Sequence, residues 1–554
     1  MLKAIIVSSQ EKVFIDQKIS DFKPLERISV LKGERLSLQL IYTYESTRSP
    51  YLHAAIRIKP ELSGSLASLV NLRDVCHIPV DKPINNAGTD DNYLRKTPGI
   101  YPDVLRPLHY GASLNIAMDM LSSTWIDIDI PRDLEAGEHT LAIKVDGGDW
   151  GVTEGKITVD VINAELPRED IYFTQWFHAD CLANFYNVEV WSERHWEIVE
   201  SFVGVARRNG INLLLTPVFT PPLDTQVGGE RRTTQLVGVK RDGDKYTFDF
   251  TLLDRWIAMC NRQGVEYLEI SHLFTQWGAE HAPKVMATVD GEYKRLFGWE
   301  TAATGEEYST FLRTFLKELI AHLKKTGDDK RCFFHVSDEP GLQHLENYKA
   351  AKAIIADIIK GYPMIDALSK FDFYKTGALE TPICSNNHIT PFLEAGVENL
   401  WTYYCVSQPV DVSNRYVSMP SWRTRSIGMQ MFKYNIKGFL HWGYNFYNNQ
   451  YSEDPLNPFL ETSAAATFPT GDSFSVYPAM NGTALESIRL VVFYEALQDI
   501  KAMKLCESLY SHDEVVSAME EVFGKEITFE TCTKSSDMML RIREKVNMMI
   551  KARV

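Results

Sequence analysis

The chain changes its pattern once, between Glu165 and Ile171, and that change limits the folds open to it more than any other feature. Up to Glu165, the segments Arg35–Tyr44, Tyr51–Lys59, Ser123–Ile130, Glu138–Val145 and Lys156–Ile162 are short alternating or β-branched runs, parted by Gly, Pro and Asp turns. Such spacing predicts a β-sandwich. Ser123–Ile130 alternates strictly, which predicts one buried face and one wet face. Leu166-Pro167-Arg168-Glu169-Asp170 then makes a polar break.

From Ile171 strand-like runs alternate with helical stretches. The candidate strands are Ile171–Phe177, Ile211–Phe219, Tyr267–Phe274, Arg331–Val336, Phe371–Lys375, Pro382–Asn386, Asn399–Cys405 and Gly438–Trp442. Ser192–Arg208 and Thr251–Arg262 read as helices between the first three, the βαβ rhythm of a parallel sheet. Eight such strands predict a TIM-like (β/α)8 barrel, distorted because the links between the fifth, sixth and seventh are too short for full helices. Ala484–Ser508, Asp513–Val522 and Ser536–Ala552 read as helices, and Met538, Met539, Ile542, Val546, Met549 and Ile550 form a core-facing stripe. The expected fold class is α/β plus β: an N-terminal β-sandwich over 1–165, a distorted barrel over 166–482, and C-terminal helices over 483–554 packing on the barrel.

A length of 554 residues agrees with more than one core. The formal charge of −15 argues against a nucleic-acid partner or an anionic membrane surface, because phosphates are repelled. Met1–Ser9 is too short in apolar residues for a signal h-region, and no stretch is long enough to span a membrane, so a cytoplasmic location is expected. The eight cysteines are scattered, with no C-x-x-C pair and no His/Cys metal spacing. No phosphate-cradling glycine loop, dinucleotide fingerprint or G-x-S-x-G elbow occurs, and no cofactor is expected. Oligomeric state leaves no readable mark.

The expected chemistry lies where the strands end. Arg331-Cys332-Phe333-Phe334-His335-Val336-Ser337-Asp338-Glu339-Pro340 is an apolar run that delivers two adjacent acids and stops at Pro340. Strand C-terminal ends are where α/β barrels keep their active sites. The alternative is that Asp338 caps a following helix and Glu339 complements its dipole. The other strand ends carry Trp176, His178 and Asp180; Trp277; Asn386; Trp401, Tyr403 and Tyr404; and Trp442, Asn445 and Tyr447. Aromatic faces with amides and acids on one rim suit a sugar, whose C–H patches stack while its hydroxyls are hydrogen-bonded. His178, Asp180, His335, Asp338 and Glu339 form an alternative metal set, but no H-x-H or H-E-x-x-H spacing accompanies them.

The chain resembles glycoside hydrolase family 123, the β-N-acetylgalactosaminidases. The resemblance rests on Phe334-His335-Val336-Ser337-Asp338-Glu339-Pro340, on Gly99-Ile100-Tyr101-Pro102-Asp103, and on Phe468-Pro469-Thr470-Gly471-Asp472 with Val476-Tyr477-Pro478. It implies removal of terminal β-linked N-acetylgalactosamine with retention, the substrate's 2-acetamido oxygen serving as nucleophile. Glu339 would be acid and then base, and Asp338 would accept from the acetamide N–H. Tyr403 or Tyr404 is the candidate for the acetamide carbonyl, and Trp401, Trp442 and Trp277 for walls of the site. His178, Asp180, Asn386, Asn445 and Asp472 are candidates for hydroxyls, with Trp176, His335 and Tyr447 completing the binding set. Three alternatives stay open: an N-acetylglucosaminidase with the same machinery, an enzyme-nucleophile glycosidase using Asp180 or Asp472, and a silent sugar-binding barrel.

Overall fold

The computed structural model describes residues 1–45, 55–108, 113–168 and 171–554. The start of the expected Tyr51–Lys59 strand (51–54) and Glu169-Asp170 of the break lie outside the described residues; the rest of that strand is Ala55–Ile58. The protein is mixed α/β.

Two sheets dominate the first part. A seven-stranded antiparallel sheet runs in the order Leu2–Ser8, Arg35–Tyr44, Ser122–Asp129, Val70–Val80, Gly99–Pro107, Ala484–Ser487, Val476–Pro478. A four-stranded sheet holds Arg27–Lys32, Val152–Glu165, Gly137–Asp146 and Glu61–Ser63. Leu38, Leu40, Ile126 and Ile128 of the first pack with Leu141, Ile143, Val159 and Val161 of the second in one core.

The expected wet face of Ser123–Ile130 is buried instead. Val75, Leu105 and Trp125 on that face pack against Ile488, Val491 and Val492 of the helix Ile488–Leu509. Asp127, on the same face, takes bonds from Ser37 Oγ (2.8 Å), Trp125 Nε1 (2.9 Å) and Arg73. The alternation is therefore real, but its polar positions are paired beneath a helix.

Ser487 starts that helix by accepting the Leu490 N–H, and the helix is buried nearly all round. Phe493 stacks on Phe173 at 4.6 Å. The last helix, Ser536–Lys551, places Ile542, Val546 and Ile550 against Leu31 and Ile162 of the four-stranded sheet. Thus the C-terminal helices pack on the first two sheets as well as on the parallel strands.

The parallel strands form two sets. Tyr172–Gln175, Gly438–His441, Trp401–Tyr403, Thr381–Ser385 and Ile365–Ala367 make one, and Leu213–Thr216, Tyr267–Ile270 and Cys332–Phe333 the other, with every pairing parallel. On one side the Asn212 N–H donates to the Phe173 carbonyl (3.1 Å). On the other, Phe334 bridges Met364, with Ile365 N–H donating to the Phe334 carbonyl (3.0 Å). The helices between strands follow their sequence signals. Glu193–Arg208 is capped by Ser192 and ends on Arg207 and Arg208, and Thr251–Gln263 stops at Gly264 in the left-handed region, where lack of a Cβ matters.

One expected strand is a helix. Phe371–Tyr374 is helical, and the fifth parallel strand is Ile365–Ala367. Phe371 stacks on Tyr374 at helical spacing while Phe373 is buried against Tyr348, an apolar pattern that either structure can use.

Candidate active site

All of the parallel strands except Thr381–Ser385, or the loops after them, contribute to a cavity of about 200 Å³. Asp338, Glu339, Trp176, Trp277, Tyr403 and Trp442 line it, with Leu223, Asp224, Gln276, Ala367, Cys405, Val406, Leu440, Gln450 and Phe468.

The two acids stand on a turn, not on a strand. The strand ends at Phe333, and Glu339 has φ 45°, in the left-handed region. Successive strand residues would face opposite ways. This turn lets both carboxyls serve one cavity. Buried Asp366 holds the segment from behind: it accepts the Val336 N–H (3.1 Å), the Ser337 N–H (3.4 Å) and the Tyr348 hydroxyl (2.6 Å). Trp277 N–H donates to the Asp338 carbonyl (2.8 Å) and ties the third-strand loop to the same turn.

Burial, followed by the neighbouring Glu339 charge, pushes the Asp338 carboxyl well above the usual carboxylate range. The Tyr403 hydroxyl donates to Glu339 Oε1 and meets Ser369 Oγ at 2.9 Å. Burial raises the Asp224 carboxyl to about 6. Cys405 is no nucleophile here, since burial and the Glu339 and Asp472 charges raise its thiol well above the usual value.

Several expected contact residues work from behind the cavity. His335 is fully buried, with Nε2 at 2.7 Å from Glu269 and Nδ1 at 3.0 Å from Asp366. Burial lowers its pKa, but these two carboxylates more than offset it and raise the imidazole to about 9. Glu269 also takes the Trp176 indole N–H at 2.7 Å, so the charged pair orients a cavity wall. His272, His335 and Asp366 place ligand atoms within 4.8 Å of one another. The two imidazoles stack at 4.2 Å and 22°, so their in-plane lone pairs run side by side and do not converge on one ion.

Asp472 likewise lies outside the cavity and accepts the Trp442 indole N–H at 3.0 Å. Asp180 is buried in a bidentate pair with Arg231 (2.6 and 2.8 Å), which also donates to His178 Nδ1 (3.1 Å) and the Leu223 carbonyl (3.1 Å). Asp180 and His178 thereby fix the loop carrying Asp224. Asn445 bonds the His178 backbone through both amide ends, Tyr447 donates to the Val476 carbonyl, and Asn386 to the Ser413 carbonyl. Trp401 begins its strand and stacks on Tyr172 at 5.2 Å, at the far end from the acids. Tyr404 points to the opposite face from Tyr403, against Phe439 at 4.9 Å. These nine residues (His178, Asp180, His335, Asn386, Trp401, Tyr404, Asn445, Tyr447, Asp472) do not line the cavity; each satisfies a buried polar or packing demand.

Sequence reasoning missed Asp224, Gln276 and Gln450 as lining residues, along with Leu223, Ala367, Cys405, Val406, Leu440 and Phe468. The rigid Thr220-Pro221-Pro222-Leu223-Asp224 loop after the second strand was the available signal for the first.

Residues 176–506 match the family described as Glycoside hydrolase 123, catalytic domain. No curated protein matches the chain. A family 123 glycoside hydrolase from Clostridium perfringens, studied for glycolipid glycan hydrolysis, aligns over 100% of this chain and 98% of its own, with TM-score 0.72 and 15% identity. A family 10 xylanase from Thermobacillus composti covers 59% of this chain and 97% of its own, with TM-score 0.30 and 12% identity.

Proposed function

The chain belongs to glycoside hydrolase family 123, and from that premise we propose that it removes terminal β-linked N-acetylgalactosamine by retaining, substrate-assisted catalysis, with Asp338 and Glu339 as the catalytic pair. The eight parallel strands are read as a distorted (β/α)8 barrel over 166–482, the two preceding sheets as a β-sandwich over 1–165, and 483–554 as a helical extension. The observation that carries the mechanism is the left-handed turn at Glu339, which brings two sequence neighbours to one cavity. In the usual two-carboxylate scheme the acids flank the anomeric carbon from different strands. Neighbouring acids suit a reaction in which the substrate's acetamide oxygen attacks C1 and forms an oxazolinium.

The roles follow from charge. Burial first and the neighbouring Glu339 second push the Asp338 carboxyl toward its protonated form. An incoming acetamide N–H favours ionised Asp338, and Glu339 as the acid serves the glycosidic oxygen. Ionised Asp338 then offsets the positive charge of the oxazolinium, and Glu339 as base activates the water that opens it. The Tyr403 hydroxyl is the donor for the acetamide carbonyl, in preference to Tyr404, which does not line the cavity. Trp176 and Trp442 wall the site. Asp180 and Asp472, the earlier candidates for an enzyme nucleophile, do not line the cavity, which favours the substrate's own nucleophile.

Aryl β-N-acetylgalactosaminide turnover should fall about 10²–10⁴-fold in Glu339→Gln and by a comparable factor in Asp338→Asn. A thiazoline mimic of the oxazolinium should inhibit the wild type tightly. Unchanged turnover in Glu339→Gln would sink the assignment of the acid, and an α-azide product from Asp338→Asn in the presence of azide would sink the substrate nucleophile. Faster turnover of the glucosaminide would reverse the sugar preference.

A further inference from the structure

Most of the cavity's walls are buried or half-buried, yet two aromatic rings beside it are exposed. Trp277 is 39% exposed and Tyr451 38% exposed. Their rings meet edge to face at 6.1 Å and 89°. Trp277 lines the cavity, and Tyr451 directly follows Gln450, which also lines it. Both residues sit in the left-handed region, at φ 59° and 64°, a sparsely populated conformation for an aromatic residue. The surrounding fold must therefore hold them in place.

It does so through Asp224. Tyr451 N–H donates to the Asp224 carboxylate (3.2 Å), Ser452 Oγ donates to the Asp224 carbonyl (2.7 Å), and Gln226 N–H donates to the Tyr451 carbonyl (3.2 Å). Asp224 N–H in turn donates to the side chain of Gln276 (2.7 Å), the residue before Trp277. Trp277 is bound by its own N–H to the Asp338 carbonyl at 2.8 Å. One frame thus ties both aromatic residues to the turn that carries Glu339.

The position of that frame matters once Glu339 is taken as the acid, a reading on which this step rests. An acid that protonates the glycosidic oxygen stands beside the leaving group, so whatever is bonded to that oxygen lies on the Glu339 side of the site. We propose that Trp277 and Tyr451 form the leaving-group subsite, a stacking platform for the sugar ring to which the terminal 2-acetamido sugar is β-linked, with Asp224 as the positioning residue that holds Tyr451. An exposed pair of rings next to a small cavity fits this division: the cavity takes the terminal sugar, and the rings take the apolar face of the next one.

The test uses two substrates that share the terminal sugar and differ beyond it. A 2-acetamido glycosyl fluoride leaves as a single ion and has nothing to stack, whereas a β-linked disaccharide does. The ratio of kcat/KM for disaccharide over fluoride should fall about three- to tenfold in Trp277→Ala and in Tyr451→Ala, recover in the Phe variants, and fall in Asp224→Ala with little change in Tm. An unchanged ratio, with both substrates slowed alike, would assign the rings to the terminal sugar and overturn the proposal. If the wild type turns over neither substrate, the catalytic reading fails by itself. Calorimetry then decides the platform: loss in Trp277→Ala of the disaccharide's affinity advantage over the monosaccharide upholds it, and retention overturns it.

Discussion

At the residue scale the site is organised by acids that never touch the cavity. Glu269 and Asp472 key the indoles of Trp176 and Trp442, and Asp366 holds the acid-bearing turn. His335 is the cation that makes two of these carboxylates tolerable in the interior, since an unpaired buried charge is costly. Its raised pKa has a thermodynamic sign. The group titrates near 6.5 unfolded and about 9 folded, so its stabilising contribution is complete below pH 6.5 and is lost as pH rises through 9. Urea unfolding followed from pH 6 to pH 10 should show a decline over that window, and His335→Gln should flatten it. A variant with the same decline as wild type would assign the proton to another group. Of the sequence expectations here, Asp338, Glu339, Trp176, Trp277, Tyr403 and Trp442 do line the cavity, as acids and aromatics at strand ends led one to expect. His178, Asp180 and Asp472 carry the same residue types at similar positions, and only the partners Arg231 and Trp442, distant in sequence, distinguish support from lining.

At the element scale the decisive feature is the helix Ile488–Leu509, which lies between the seven-stranded sheet and the parallel strands. Ile488 is fully buried against Trp125, Val75 and Leu105. Ile488→Ala should cost about 2–5 kcal/mol in chemical denaturation; a loss below about 0.5 kcal/mol, the usual range for surface positions, would mean the sheet face is not sealed there. Arg35–Tyr44 was readable to the residue because its apolar run is long and bounded by turns. The face of Ser122–Asp129 was not. Alternation reports which positions are polar, and the pairing of Asp127 with Arg73, Ser37 and Trp125 beneath a helix is a tertiary fact. The fifth parallel strand was hidden for a related reason, since its middle residue is the buried carboxylate Asp366.

At the scale of the whole molecule, segments far apart in the chain are locked together by one buried ion pair. Arg489 binds Asp103 at 2.8 Å and donates to the carbonyls of Gly471 and Phe474, and the Tyr477 hydroxyl reaches Asp103 at 2.7 Å. Two of the sequence blocks behind the family resemblance, Gly99–Asp103 and Val476–Pro478, therefore meet in space. Removing one partner leaves the other charged and buried, so Arg489→Ala should destabilise the protein by about 3–5 kcal/mol. Thermal unfolding within a degree or two of wild type would show the pair to be dispensable. The same architecture sets an order of events during synthesis. The strand Ser122–Asp129 leaves the ribosome roughly 360 residues before the helix that covers it, a wait of tens of seconds at about 5–20 residues per second. For that interval the nascent sheet carries an open apolar face around Trp125 and an unfilled edge at Gly99–Pro107, so closure of the first sheet waits for roughly the last seventh of the chain.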